Sequence, residues 1–131
     1  MKEDMVNHPK HYASQFKTKD LECVAITRHM SFLRGNAFKY VWRAGMKGDK
    51  EKAIEDLDKA LWYLKELSKY PAADSNIVAA NAVFECLEDD GYEKYQLLSS
   101  ILDPQQDNIA GSSLREGYIR HMQTQFMTRE A

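Results

Sequence analysis

The sequence contains few of the residues that build cross-linked or membrane-bound domains. Two cysteines occur among 131 residues, Cys23 and Cys86, and they form no C-x-x-C pair, which argues against a disulfide scaffold and a zinc finger. No apolar run approaches the ~18 residues that a membrane-spanning helix needs. The amino terminus, MKEDMVNHPKHY, lacks the apolar region of a signal peptide. We therefore expect a reduced, cytoplasmic protein that does not enter a membrane.

Several catalytic signatures are also missing. The nearest approach to a G-x-x-x-x-G-K-[ST] loop is Gly45-Met46-Lys47-Gly48, which lacks both the length and the hydroxyl. There is no G-x-S-x-G and no H-E-x-x-H. The cysteines and the histidines His29 and His121 are scattered, so no zinc site is predicted. An ordinary P-loop NTPase is therefore unsupported by the sequence.

Apolar residues recur at helical spacing, and strand-like alternation is absent. The pattern predicts helices over residues 20–30, 34–44, 50–70, 75–89 and 92–102, the first capped by Asp20. A linker is expected over residues 103–112. Ser113 and Glu116 have the spacing of a capping box for a last helix that reaches towards Phe126.

The predicted fold is therefore all-α, a compact bundle of about five to six helices with an extended N-terminal arm over residues 1–19. We expect residues 1–70 to form a nucleotide-binding core together with the arm. Residues 71–131 are expected to form a helical extension that packs on the core or mediates oligomerisation.

The net charge of −2 hides an uneven distribution. Residues 8–47 carry eight basic and two acidic side chains, whereas residues 84–131 carry nine acidic and four basic ones. The first segment has a net charge of about +6 and the second about −5. A basic segment that also holds histidines and aromatic rings could bind phosphates and stack on bases. Alternatively, segments of opposite sign simply attract each other within the fold or between subunits.

The helix predicted over residues 34–44 has two distinct faces at ~100° per residue. Its apolar face carries Ala37, Phe38, Val41 and Trp42. The opposite face carries Asn36, Lys39, Tyr40, Arg43 and, if the turn continues, Lys47. Cations at this spacing can hold phosphate oxygens, and a tyrosine between them can stack or donate a hydrogen bond. The alternative is an ordinary solvated helix face.

The helix predicted over residues 50–70 repeats this arrangement. Its apolar stripe consists of Ala53, Ile54, Leu57, Ala60, Leu61, Leu64 and Leu67. Asp56, Lys59 and Tyr63 are predicted to project opposite that stripe, and Trp62 lies on its flank beside Glu55 and Asp58. Pairs such as Glu55 and Lys59 are common on solvated helices, but they do not explain a Trp-Tyr pair.

The arm contains the sequence Asn7-His8-Pro9-Lys10-His11-Tyr12. Because Pro9 disfavours a helix at His8, the two histidines cannot share a helix face. We interpret this segment as a substrate clamp or an intersubunit latch.

Two acidic pairs support a different hypothesis. Glu55 and Asp58, and likewise Glu85 and Glu88, are one helical turn apart and could present four carboxylates across two packed helices. All-α nucleotide pyrophosphohydrolases resembling MazG hold magnesium in this way. The order and spacing match that family's E-x-x-E and E-x-x-D pattern poorly, and two exposed acidic faces are the simpler interpretation.

Three blocks of the sequence together resemble one family. They are VNHPKHY at residues 6–12, RGNAFKYVWRAGMK at residues 34–47 and EDLDKALWYL at residues 55–64. In this order they are similar to the HPxHY, GNxxKYxxR and DLxKAxWYL motifs of the small phage domain family DUF3310, over about residues 6–68. Its members include a P-loop-less nucleotide kinase of T7-like phages.

The resemblance implies transfer of a phosphoryl group from ATP or another nucleoside triphosphate to a deoxynucleoside monophosphate. With the helix faces above, it makes His8, His11, Lys39, Arg43 and Asp56 the candidate catalytic residues. The candidate nucleotide-binding residues are Lys10, Tyr12, Asn36, Tyr40, Lys47, Lys59, Trp62 and Tyr63. No residue is assigned as a metal ligand, and magnesium dependence stays open.

One departure from the family pattern concerns the first helix. Members often carry a second acidic residue there, whereas this chain keeps Glu22 but has Ala25 at the later acidic position. If that acid is a base or a metal ligand, the resemblance implies a weaker or altered enzyme.

Two nucleotides are large ligands for a chain of this size, so we expect a homo-oligomer with a site shared between subunits. Binding to a membrane or directly to nucleic acid is not expected. The location would be the host cytoplasm if the protein is phage-encoded. A non-enzymatic module that binds a nucleotide or a host protein is the third hypothesis.

Overall fold

The computed structural model describes residues 22–46, 48–70, 76–87 and 93–129, and these residues form six α-helices and one short 3-10 helix. The α-helices are α1 (Cys23–Thr27), α2 (Phe32–Arg43), α3 (Lys50–Lys69), α4 (Ile77–Phe84), α5 (Glu93–Ile101) and α6 (Ile109–Thr128). The 3-10 helix (Pro104–Gln106) links α5 to α6. No strand occurs within these ranges, so the all-α prediction is confirmed. The predicted arm lies outside the described residues, and so does Asp20, the predicted cap of the first helix.

The centre of the bundle is the pair α2 and α3, and α6 packs against α3 while α5 packs against α2. The predicted apolar faces of α2 and α3 form the interior of this arrangement. Phe38 and Trp42 of α2, and Leu57 and Leu64 of α3, are all fully buried. Burial of an aromatic or leucine side chain contributes about 1.5–3 kcal/mol each, so this shared interior fixes how the two helices lie. None of the described helices is both long and apolar enough to cross a membrane.

The connection between α2 and α3 is held from several sides. Gly45 and Gly48 have φ angles of 85° and 82°, a region that side-chain-bearing residues rarely adopt. The ammonium of Lys94 on α5 donates to the carbonyl oxygens of Trp42 and Ala44, at 2.7 Å each, where α2 ends. Asp49 caps α3 by accepting a hydrogen bond from the amide of Lys52 at 2.9 Å. These contacts give the turn a defined shape.

The start of α6 differs from the sequence prediction. The helix begins at Ile109, so the connection from α5 is shorter than the expected linker over residues 103–112, and the expected cap at Ser113 is wrong. The N-cap is Asn108, whose side chain accepts from the amide of Gly111 at 2.8 Å. A Cβ atom at Gly111 would lie 1.9 Å from the carbonyl oxygen of Gln106, so the glycine permits a tight turn into the helix. The small residues Ala110, Gly111, Ser112 and Ser113 give the first turn no apolar stripe, which is why the sequence pattern did not predict a helix there.

A buried ionic cluster joins α2 to the C-terminal helices. Arg34 and Arg115 are fully buried and share the carboxylate of Asp107, whose side chain is 4% exposed. Arg34 also donates to the carbonyl oxygen of Ile101 at 2.6 Å, and Arg115 to that of Ser100 at 2.5 Å. Burial lowers the pKa of Arg115, and its hydrogen bond to Asp107 acts in the opposite direction. Two buried guanidinium groups therefore depend on one carboxylate.

We predict that Asp107→Asn destabilises the protein by about 3 kcal/mol, because it removes the carboxylate that two buried guanidinium groups share. Urea unfolding followed by circular dichroism measures this change. Asp58→Asn is the matched control, since the Asp58–Arg120 pair is exposed on both sides and its loss should cost about 1 kcal/mol or less. Equal effects of the two substitutions would contradict the structural role of the cluster.

The two cysteines should differ in reactivity. Burial raises the pKa of the Cys23 thiol to about 12, so Cys23 remains protonated at mildly alkaline pH, whereas Cys86 is exposed. Iodoacetamide should therefore modify Cys86 alone in the folded protein and both cysteines after unfolding in urea. Peptide mass spectrometry reads the sites, and modification of Cys23 as fast as Cys86 would contradict the packing of α1.

Candidate functional site

The predicted polar faces of α2 and α3 meet on one side of the bundle. Arg43 contacts Asp56 near the turn, and Phe32 contacts Tyr63 far from it, so the two helices run antiparallel. Between these contacts lie Tyr40 and its neighbours. This surface, called the α2–α3 face below, contains eight of the residues that the sequence predicted for the site. They are Asn36, Lys39, Tyr40, Arg43, Asp56, Lys59, Trp62 and Tyr63.

Four aromatic rings are in contact on this face. Tyr40 and Tyr63 are stacked, with their centroids 6.0 Å apart and their planes 13° apart. Phe32 and Trp62 each meet Tyr63 edge to face, at centroid distances of 6.0 and 5.1 Å. Phe32 is 73% exposed and Trp62 is 58% exposed, whereas Tyr40 and Tyr63 are half-buried. We call these four rings the aromatic cluster.

Three cationic groups surround the ring of Tyr40. The ammonium of Lys39 lies 4.5 Å from its centroid, the guanidinium of Arg43 lies 5.2 Å away and the ammonium of Lys59 lies 5.5 Å away. Cations at such distances are attracted to the electron-rich face of an aromatic ring, which offsets part of their mutual repulsion. The phenol therefore helps to hold three like charges close together.

The carboxylates on this face are fewer than the cations. Asp56 accepts from Arg43 at 3.1 Å and lies 3.4 Å from Lys52. Glu55 pairs with Lys59 at 2.9 Å and also with Lys52 at 3.5 Å. Lys39 donates to the amide oxygen of Asn36 at 3.1 Å, which is a neutral acceptor. Among the described residues of this network, four cations face two carboxylates, an excess of two positive charges.

The Glu55–Lys59 pair carries its full charge at neutral pH. Hydrogen bonding to Lys59, followed by the charge of Lys52, lowers the pKa of Glu55. The same hydrogen bond raises the pKa of Lys59. Both groups are therefore ionised across the physiological range.

Asp56 differs from its predicted position. The sequence placed it on the exposed side of α3 opposite the leucine stripe, but it is fully buried. The reason is that α2 covers this side of α3 and supplies Arg43, whose guanidinium compensates the buried carboxylate. Asp56 thus holds Arg43 in place, and Arg43 is the member of the pair that reaches the surface.

Two residues of the face were not predicted. Phe32 lies four and eight residues before Asn36 and Tyr40, so helical spacing places it on the same face, two residues before the predicted start of the helix at residue 34. Lys52 lies three and four residues before Glu55 and Asp56, which is the spacing of helical ion pairs. Both signals were present in the sequence. Five predicted site residues lie outside the described residues: His8, Lys10, His11, Tyr12 and Lys47.

Some carboxylates of the pyrophosphohydrolase hypothesis already have hydrogen-bond or ion-pair partners. Glu55 pairs with lysines, as above, and Asp58 accepts from Gln123 at 2.8 Å and from Arg120 at 3.1 Å. Glu88 lies outside the described residues, so the four-carboxylate arrangement stays a prediction. Across residues 22–46, 48–70, 76–87 and 93–129, no group of three His, Cys, Asp or Glu side chains could hold a metal ion.

A cavity of about 500 Å³ lies beside the turn between α2 and α3. Among its described lining residues, Asp49 and Glu51 are balanced by Lys50 and Arg129, and Phe126 contributes an apolar side chain. The guanidinium of Arg129 already lies 4.2 Å from the centroid of the Phe126 ring. This balance favours the α2–α3 face over the cavity as the place for an anionic ligand.

Residues 6–65 match the model of a family described as a protein of unknown function (DUF3310). Neither the curated proteins nor the solved structures provide a match to the chain. The matched residues include every described side chain of the α2–α3 face. The family description names no activity, so a function has to be inferred from the site itself.

We predict that Asp56→Asn destabilises the fold by about 3 kcal/mol, because Arg43 and Lys52 would then lose a buried counter-charge. Glu55→Gln, on the exposed side of the same helix, should leave the urea midpoint almost unchanged. Denaturant unfolding of both variants provides the measurement. A stable Asp56→Asn protein would mean that Arg43 is not held in the way described.

Proposed function

We propose that the α2–α3 face binds a nucleotide and that the protein is a nucleotide kinase. The reaction would move the terminal phosphoryl group of ATP or another nucleoside triphosphate to a deoxynucleoside monophosphate. The products would be two nucleoside diphosphates. The observation that carries this proposal is a group of four cations and two carboxylates, counted among the described residues, which lies beside an aromatic cluster with two exposed rings. The DUF3310 match supports it through the kinase that this family resemblance implies.

The charge of the face suits a phosphate monoester. Such a group carries about −1.5 to −2 charges near neutral pH, which matches the positive excess of the site. Lys39 is the best placed of the cations for this role, because its one hydrogen-bond partner on the face is a neutral amide. Arg43 and Lys59 would add charge, since their cationic groups lie 5.2 and 5.5 Å from the centroid of the Tyr40 ring.

Phosphoryl transfer depends mainly on positioning and on neutralising the equatorial oxygens, so a P-loop is not required in principle. Arg43 is suited to this work because Asp56 fixes its guanidinium through two hydrogen bonds, at 3.1 and 3.3 Å. His8 or His11 would orient or protonate a phosphate oxygen, since imidazole titrates near neutral pH. Lys10, Tyr12 and Lys47 would complete the site.

The proposal also covers the oligomeric state, the cellular location and the metal. Two nucleotides exceed what one exposed face offers, so the proposal includes a homo-oligomer in which subunits share the site. It also includes a cytoplasmic location and, from the family resemblance, a phage origin. Mg²⁺ would accompany the triphosphate if the reaction requires it.

The test is a transfer assay with labelled ATP and each deoxynucleoside monophosphate, with and without magnesium. A labelled deoxynucleoside diphosphate should form. Lys39→Met should lower kcat/KM by about a hundredfold, the usual loss when one charge-stabilising donor is removed. Lys65→Met is the matched control, because Lys65 is an exposed lysine of α3 that pairs with Glu116 outside the face; its activity should equal that of the unmodified protein.

Three outcomes would contradict the kinase. The first is the absence of diphosphate with every donor and acceptor, while nucleotides still bind, which would favour a non-enzymatic binding module. The second is magnesium-dependent release of pyrophosphate that is lost in Glu55→Gln or Asp58→Asn and retained in Lys39→Met, which would favour a pyrophosphohydrolase. The third is equal activity of Lys39→Met and Lys65→Met.

A further inference from the structure

We infer that Phe32 and Trp62 bind the base of the nucleotide by stacking, while the cations around Tyr40 hold its phosphate. This inference rests on the proposed function and adds which residues recognise the nucleobase. Phe32 has no role in the motif blocks of the family resemblance. The ligand class is a planar heteroaromatic ring joined through a sugar to a phosphate.

The order of contacts along the face resembles the order of groups in a nucleotide. The cations contact Tyr40, Tyr40 stacks on Tyr63, and Tyr63 contacts Phe32 and Trp62. A phosphate near the cations would therefore have its sugar and base directed along the cluster. The two tyrosines connect a charged end to an apolar end.

The exposure of Phe32 and Trp62 also favours a ligand. Phe38 and Trp42 are fully buried and supply the aromatic side chains of α2 to the core. Phe32 and Trp62 remain largely exposed, so the core does not account for them. Other exposed apolar side chains of the described residues, such as Val78 and Ile109, are aliphatic and have no ring that could stack on a base. Aromatic rings beside a cationic patch are the usual means by which proteins stack nucleobases.

Tyr40 is less suited to this role than the sequence suggested. Its ring already contacts Tyr63 and three cationic groups, and it is half-buried. A base placed on it would displace the cations that the phosphate needs. The assignment therefore falls on the two rings at the exposed end of the cluster.

The tryptophan content of the chain allows a direct readout. The sequence has two tryptophans, of which Trp42 is fully buried and Trp62 is 58% exposed. Acrylamide should quench Trp62 alone in the folded protein. Addition of a deoxynucleoside monophosphate should protect Trp62, and 2-deoxyribose 5-phosphate, which has the phosphate but no base, should not. Protection that instead grows with protein concentration, without any nucleotide, would show that a second copy covers the rings and would overturn the inference.

Binding measurements separate the base from the phosphate. Trp62→Leu and Phe32→Leu should each weaken binding of a deoxynucleoside monophosphate by about tenfold, the usual effect of losing one stacking ring. Neither should change binding of 2-deoxyribose 5-phosphate. Trp62→Phe should retain most of the affinity, and Lys39→Met should weaken both ligands. Ile109→Ala, an exposed apolar residue on α6, is the control and should change neither.

The failures of the two proposals are distinguishable. If the unmodified protein binds nucleotides but Trp62→Leu and Phe32→Leu do not weaken them, or weaken 2-deoxyribose 5-phosphate equally, the base assignment is wrong and the proposed function stands. If the unmodified protein binds no nucleotide in calorimetry, both are wrong. Calorimetry and circular dichroism on each variant exclude a general loss of folding as the cause.

Discussion

The α2–α3 face depends on the ion pair between Arg43 and the buried carboxylate of Asp56. A fully buried carboxylate is unfavourable unless a cation and hydrogen bonds compensate it, and α2 supplies both through one guanidinium. The pair fixes α2 against α3 near their connecting turn, and the packing of Tyr40 on Tyr63 continues that register along the helices. Lys52 adds a second cation to the same carboxylate. A structural need for counter-charge thus places cations at a surface where a ligand can use them.

The C-terminal helices hold the ends of α2. Arg34, near its start, pairs with Asp107, which also pairs with Arg115, and Lys94 donates to the carbonyl oxygens at its end. Because Asp107 and Arg115 lie outside residues 6–65, the part of the chain that matches DUF3310 is supported here by residues beyond the match. The extension is therefore joined to the site helices by buried polar contacts as well as by apolar packing.

Much of the face could be predicted because helical spacing alone sorts polar from apolar residues on α2 and α3. The apolar residues Phe38, Trp42 and Leu57 are buried as the spacing predicts. Asp56 could not be placed correctly, because its burial depends on a partner from another helix. Local spacing contains no information about that partner.

The count of charges along the sequence also could not show which charges are used inside the fold. Arg34 contributes to the basic segment of the sequence, but it is fully buried and its charge is used within the fold. The acidic C-terminal part supplies Asp107 to that pair, so the attraction between segments of opposite sign is real at this position. Among the described residues of the α2–α3 face, by contrast, four cations lie beside two carboxylates.

The most direct measurement is the nuclear magnetic resonance spectrum of isotope-labelled protein during titration with a deoxynucleoside monophosphate. The indole N–H signal of Trp62 and the backbone signals around Lys39 and Lys59 should move together and saturate at one ligand concentration. The indole N–H signal of the buried Trp42 should move little. Shifts confined to the cavity lined by Gly45, Phe126 and Arg129, or no shifts with any nucleotide, would contradict nucleotide binding at the α2–α3 face.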